Sequence, residues 1–109
     1  MKITFASANL QALCQQSKLA ARDLGPLSAK KLQRRLAELF NADNVAELIA
    51  GRPHPLVGNR KGEFAVDLQG GDRLVFKSSH LPPLIKPDGS VDWSKVTAVT
   101  IVEVGNYHD

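Results

Sequence analysis

Cysteine is almost absent from this chain, with a single residue, Cys14, among 109. One thiol closes no internal disulfide and builds no metal cluster. That excludes disulfide-stapled scaffolds and fits a cytoplasmic compartment. Long apolar runs are missing as well. Residues 1–9 hold no stretch suited to a signal peptide, Gln15, Gln16 and Lys18 interrupt the next segment, and no later segment has the length and polarity to cross a bilayer. Repeats and low-complexity tracts are absent, and no ligands cluster at metal-binding spacing, so neither metal nor cofactor is expected.

What is present is an ordinary globular composition, 43% hydrophobic and 23% charged, in a chain with room for one compact core. A single domain over residues 1–109 is expected. The net charge of +3 leans toward a polyanionic partner without specifying one. Order along the chain is more informative, because helical periodicity fills the first half and strand alternation the second, which predicts an α+β domain rather than βαβ units. Lys2 to Phe5 reads as a short strand. A helix is expected from about Asn9, with Leu10, Leu13, Ala20 and Leu24 on one face, ended by Gly25-Pro26. The next helix carries Leu32, Leu36, Leu39 and Phe40 on one stripe and Lys30, Lys31, Arg34 and Arg35 on another, ending near Asn41. Asn44 and Glu47 have the spacing of a capping box.

In the second half, Phe64, Val66 and Leu68 alternate with Glu63, Ala65 and Asp67, and Leu74 and Phe76 with Arg73, Val75 and Lys77. A two-residue Gly-Gly loop would mix the faces. A three-residue Gln69-Gly70-Gly71 loop instead pairs Phe64 with Phe76, Val66 with Leu74 and Asp67 with Arg73, keeping one face apolar. Arg73 and Lys77 then project from the side the helices leave open. Val96 to Val104, rich in Val, Thr and Ile on both sides, reads as an interior strand leading to Tyr107 and His108. Between these strands, 78–95 is longer than a hairpin needs and is expected to be an ordered insertion pinned to the body by Trp93.

Two histidines stand among hydrogen-bonding residues, His54 in His-Pro-Leu-Val-Gly-Asn-Arg-Lys-Gly (54–62) and His108 in the terminal Asn-Tyr-His-Asp. Imidazole titrates near neutrality, so two of them across a small sheet can take a proton from one oxygen and give one to another. With Arg60, Lys61 and Arg73 close in sequence or on the same sheet, the natural client is a phosphodiester. A small metal-independent ribonuclease is therefore the first reading. The structural alternatives are a turn histidine at 54, a rim aromatic at Tyr107, a solvated turn at Arg60 and Lys61, and a plain Asp67–Arg73 ion pair worth about 0.2–1 kcal/mol.

The run 54–62, then Arg73-Leu-Val-Phe76, then a terminal strand ending in Tyr107-His108, resembles the HigB-type killer toxins of the RelE/ParE superfamily, along essentially the whole chain. The resemblance implies a RelE-like fold, a small, mostly antiparallel twisted sheet with a helical hairpin on one face. It implies pairing with a helix-turn-helix, HigA-like antitoxin, and ribosome-dependent mRNA cleavage in the A site. It places catalysis on His54, Arg73, Tyr107 and His108. Arg60, Lys61 and Lys77, with the helical Lys30, Lys31, Arg34 and Arg35, are the expected RNA contacts. Three positions depart from the pattern. Val57 stands where lysine is common, Asp72 where an aromatic often precedes the arginine, and Asn106 where an acid often precedes Tyr-His. Loss of a cation and gain of Asp72 are expected to lower the positive potential at a scissile phosphate. These departures sustain a rival reading, a weakened homologue that only binds antitoxin or ribosome. A ParE-like gyrase inhibitor leaves both histidine motifs without purpose.

Overall fold

The computed structural model describes residues 1–106, so Tyr107 and His108 lie outside the described residues. Five strands form one sheet in the order β1-β5-β4-β3-β2: β1 (Lys2–Phe5), β2 (His54–Pro55), β3 (Glu63–Asp67), β4 (Arg73–Ser78) and β5 (Ala98–Gly105). All neighbours are antiparallel except β1 and β5. The last strand is interior, flanked by β1 and β4.

Three helices pack on one face: α1 (Ala8–Gln15), α2 (Ser17–Leu24) and α3 (Pro26–Asn41). The first arm of the expected hairpin is thus two helices. Gln16 takes an extended conformation (φ −114, ψ 103) inside the polar run Gln15-Gln16-Ser17-Lys18, where no core contact holds the helical path. Ser7 begins α1, its Oγ accepting the Leu10 N–H at 3.1 Å. Gly25, at φ +84, closes α2 and hands the chain to Pro26 at the start of α3, where proline's missing N–H costs nothing. The Asn44/Glu47 capping box does not form. The Glu47 carboxylate accepts from Asp43 N–H at 3.0 Å, while Asn44 makes no side-chain cap to its 3₁₀ turn.

The core lies between helices and sheet. Leu32 and Leu39 from α3 meet Phe64, Val66, Leu74, Phe76, Val99 and Ile101. Cys14 belongs to this core, and burial pushes its thiol up to about 11, so it stays neutral and behaves as a small apolar residue. The Phe64 and Phe76 rings stack at 5.4 Å. Trp93 leans on both, at 4.9 and 6.4 Å, and pins the 78–95 segment to the helix side of the sheet. That segment carries its own bridge, Ile85 to Val91.

Two register features set which side chains face away from the helices. The β3–β4 connection is the three-residue loop, with Gly70 at φ +61 and Leu68 N–H donating to Asp72 O at 2.8 Å. Its pairs are Phe64 with Phe76, Val66 with Leu74 and Asp67 with Arg73. On the other side of β4, Val75 pairs with Glu103 but Phe76 pairs with Ile101, so Val102 is the extra residue of a bulge. Strict alternation from Val99 and Ile101 would drive the Glu103 carboxylate into the core. The bulge turns it to the open face and returns Val104 to the apolar side.

Candidate active site on the helix-free face

Side chains opposite one another on paired strands share a face, so the register defines the open surface. One row reads His54, Ala65, Val75 and Glu103 across β2, β3, β4 and β5, its central Ala65 and Val75 fully buried. The next reads Asp67, Arg73 and Gly105, and a third Glu63, Lys77, Thr100 and Thr4. His54 and Arg73 therefore lie on the same, helix-free side, Arg73 set there by the hairpin register and His54 by the β2–β3 pairing. Their Cα atoms are on the order of 12 Å apart, two strand spacings across and two residues along, a gap two side chains and a phosphate fill.

His54 is held by a local device. Its Nδ1 lies 2.7 Å from the Arg52 carbonyl, which only accepts, so Nδ1 carries the proton and the neutral ring keeps its lone pair on Nε2. The carbonyl is aimed by an unusual backbone. Gly51 (φ +80) and Arg52 (φ +49) both take the left-handed conformation, which costs a non-glycine residue about 1–2 kcal/mol. A side chain at Gly51 would collide with Arg35 Nε and the Asp67 carbonyl, because Gly51 O accepts Asp67 N–H at 2.6 Å in a close backbone approach.

Asp67 joins two cations on this face. Its Oδ2 accepts from Arg52 Nε at 3.0 Å, and its Oδ1 lies 3.6 Å from Arg73 Nε. The cross-strand ion pair foreseen for Arg73 thus exists, and it holds the guanidinium beside the site. Arg60 is committed more deeply. From the 58–60 turn it reaches Glu63 on β3 at 2.7 Å and Glu103 on β5 at 2.5 Å, bridging the strands that flank β4. Partial burial opposes its charge, but the hydrogen bonds to Glu103 and Glu63 outweigh that and hold its pKa above the ordinary arginine value. Arg60 is therefore no solvated turn residue, and two carboxylates that sequence reasoning passed over belong to this face. The signal for Glu103 was present, since it falls out of phase with Val99 and Ile101.

Among the other expected contacts, Lys61 and Lys77 are exposed, as are Lys30 and Arg34, while Lys31 is half-buried. Arg35 departs from the solvent stripe. Only 14% of its side chain is exposed, its Nε donates to the Asp67 carbonyl at 3.2 Å and its Nη1 to Glu38 at 2.7 Å. It fastens α3 to β3. The expected effect of Asp72 on the site potential is also corrected. Asp72 faces the helices, its Oδ2 accepting from the buried Ser28 Oγ at 2.5 Å in the first turn of α3, where a carboxylate favours the helix N-terminus. Asp72→Ala is accordingly expected to cost about 1.5–3 kcal/mol of stability, read by urea denaturation, with the activity of the folded fraction unchanged. Asn106 lies against the loop, where a side chain at Gly71 would meet its amide. Val57 is 83% exposed beside a groove of about 570 Å³ along the β2 edge, which Pro55, Leu56, Lys61 and Trp93 also line. Neither His54 nor Arg73 lines that groove; they stand on the open sheet face.

No protein-family model matches this chain, and no curated protein matches it. A solved structure of a YoeB/ParE toxin from Agrobacterium tumefaciens superposes with a TM-score of 0.61 at 13% identity, over 99% of this chain and 100% of that one. The two share a fold over essentially their whole lengths.

Proposed function

We propose that this chain is the toxin of a toxin–antitoxin pair and cuts mRNA in the ribosomal A site without a metal. The observation that carries the reading is a histidine with its Nδ1 proton fixed by a carbonyl, sharing an open face with Arg73. His54 is the base. Its Nε2 takes the proton of the RNA 2′-hydroxyl, and Nδ1–H donates more strongly to the Arg52 carbonyl as the ring becomes charged. The 2′-oxygen bonds to phosphorus and the bond to the 5′-oxygen breaks. His108 protonates that leaving oxygen, and the products are a 2′,3′-cyclic phosphate and a 5′-hydroxyl. Arg73 holds the non-bridging oxygens as charge builds, and Tyr107 orients the substrate or shares the acid role. Lys30, Lys31 and Arg34 are the proposed contacts to ribosomal RNA, and a helix-turn-helix, HigA-like protein is the proposed antitoxin.

A binding-only toxin homologue is favoured by one observation: Glu63, Asp67 and Glu103 share the open face with its arginines and offset their charge. Expression without antitoxin separates the readings. Translation arrest with primer-extension stops in translated messages, and none in an untranslated copy, is the expected result. Growth arrest with intact mRNA would leave the binding reading in its place.

A further inference from the structure

A second groove, of about 520 Å³, opens on the helix-free side where the end of β4 runs into the 78–95 segment. Its lining combines Lys61, Lys77, Ser79 and His80 with the apolar Leu81 and Pro83. Glu63 is the one acid among the described lining residues, and its carboxylate already accepts from Arg60. His80 is no idle loop residue. The Thr97 backbone N–H, which only donates, reaches His80 Nε2 at 3.0 Å, so the ring hydrogen stands on Nδ1. The polar lining therefore offers two ammonium groups, hydroxyls and an imidazole N–H, a set of donors suited to an anion. Beside them Leu81 is 91% exposed, an apolar surface left in water next to cations.

We propose that this groove binds a nucleotide of single-stranded RNA, with its phosphate on Lys61 and Lys77 and its sugar or base against Leu81 and Pro83. Lys77 lies four residues along β4 from Arg73, or about 13 Å on the same face, so a phosphate seated between Lys61 and Lys77 stands apart from one held between His54 and Arg73. The nucleotide bound here is one that flanks the cut. That placement rests on the ribonuclease reading; the affinity for a phosphorylated oligoribonucleotide rests on the groove's own lining.

The test is a titration of the full chain with the 5′-phosphorylated trinucleotide of uridine, followed by amide ¹H–¹⁵N spectra. Amides of Lys77, Ser79, His80 and Thr97 are expected to shift. Lys61→Ala with Lys77→Ala is expected to weaken binding at least about tenfold, the scale of losing contacts worth about 1.4 kcal/mol. Lys86→Ala with Lys95→Ala, which removes equal charge elsewhere, leaves it unchanged. Because His80→Ala removes an acceptor from Thr97 and can disturb the fold, Ser79→Ala serves as the second variant and is expected to weaken binding without moving the melting temperature. Equal affinity of wild type and the Lys61/Lys77 variant would overturn the proposal. So would an equal loss in the charge control, or tighter binding of a glutamate-rich peptide to the same amides. Loss of ribosomal cleavage on His54→Ala together with unchanged trinucleotide binding by the Lys61/Lys77 variant removes the groove and leaves the ribonuclease. Wild-type cleavage by His54→Ala with a groove that binds as described does the reverse.

Discussion

His54→Ala is expected to lower message cleavage by about 10²–10⁴-fold at saturating ribosomes, the range lost when a general acid or base is removed, with ribosome affinity and melting temperature near wild type. The split follows from where the residue sits. β2 is a two-residue strand at the sheet edge, and the ring's described bond is to its own loop, so its loss opens no cavity in the core. His54→Gln sharpens the test. Glutamine can donate to the Arg52 carbonyl but takes no proton at neutral pH, so an equal loss marks His54 as the base, whereas recovery would assign it to loop geometry. His108→Ala is expected to lose activity on the same scale as the partner acid.

Phe76→Ala is expected to cost about 3–5 kcal/mol, through lost burial and the cavity it leaves. A domain of this size has only about 5–15 kcal/mol to lose, so the melting temperature should fall by roughly 12 °C or more. Phe76 is fully buried and central. It pairs with Phe64 on one side and Ile101 on the other, and Trp93 meets its edge. The same change should loosen the 78–95 segment, seen as faster amide exchange at Val91 and Asp92. Phe76→Leu should recover most of the loss, because it refills the volume without restoring the ring contacts.

The hairpin that orients this site was legible in the sequence, because the Gln69-Gly70-Gly71 loop and the alternation on either side admit one register that keeps a face apolar. That register placed Arg73 opposite Asp67 and away from the helices, and β2 adds His54 to the same side. The helix break at Gln16 was not legible. Apolar spacing runs smoothly from Leu10 to Leu24, and nothing local but a polar run marks where the chain leaves the helical path. Arg35 and Asp72 were misassigned for a related reason. Charge on a helix stripe or before a catalytic-looking arginine reads as solvent or site charge, while their partners, the Asp67 carbonyl and Ser28, are distant in sequence. The Arg60–Glu63–Glu103 cluster depends on the bulge at Val102, which one out-of-phase glutamate marks.

The reaction itself gives the sharpest measurement. Ribosomes stalled on a message whose A-site codon carries ribose or 2′-deoxyribose at the cut are treated with the purified protein, and the product ends are identified. Cleavage of the ribose message to a 2′,3′-cyclic phosphate and a 5′-hydroxyl, with the deoxy message intact and both messages intact under His54→Ala, is the expected result. Cleavage of the deoxy message, 5′-phosphate ends, or wild-type rates from His54→Ala would contradict a histidine-driven attack by the RNA's own hydroxyl.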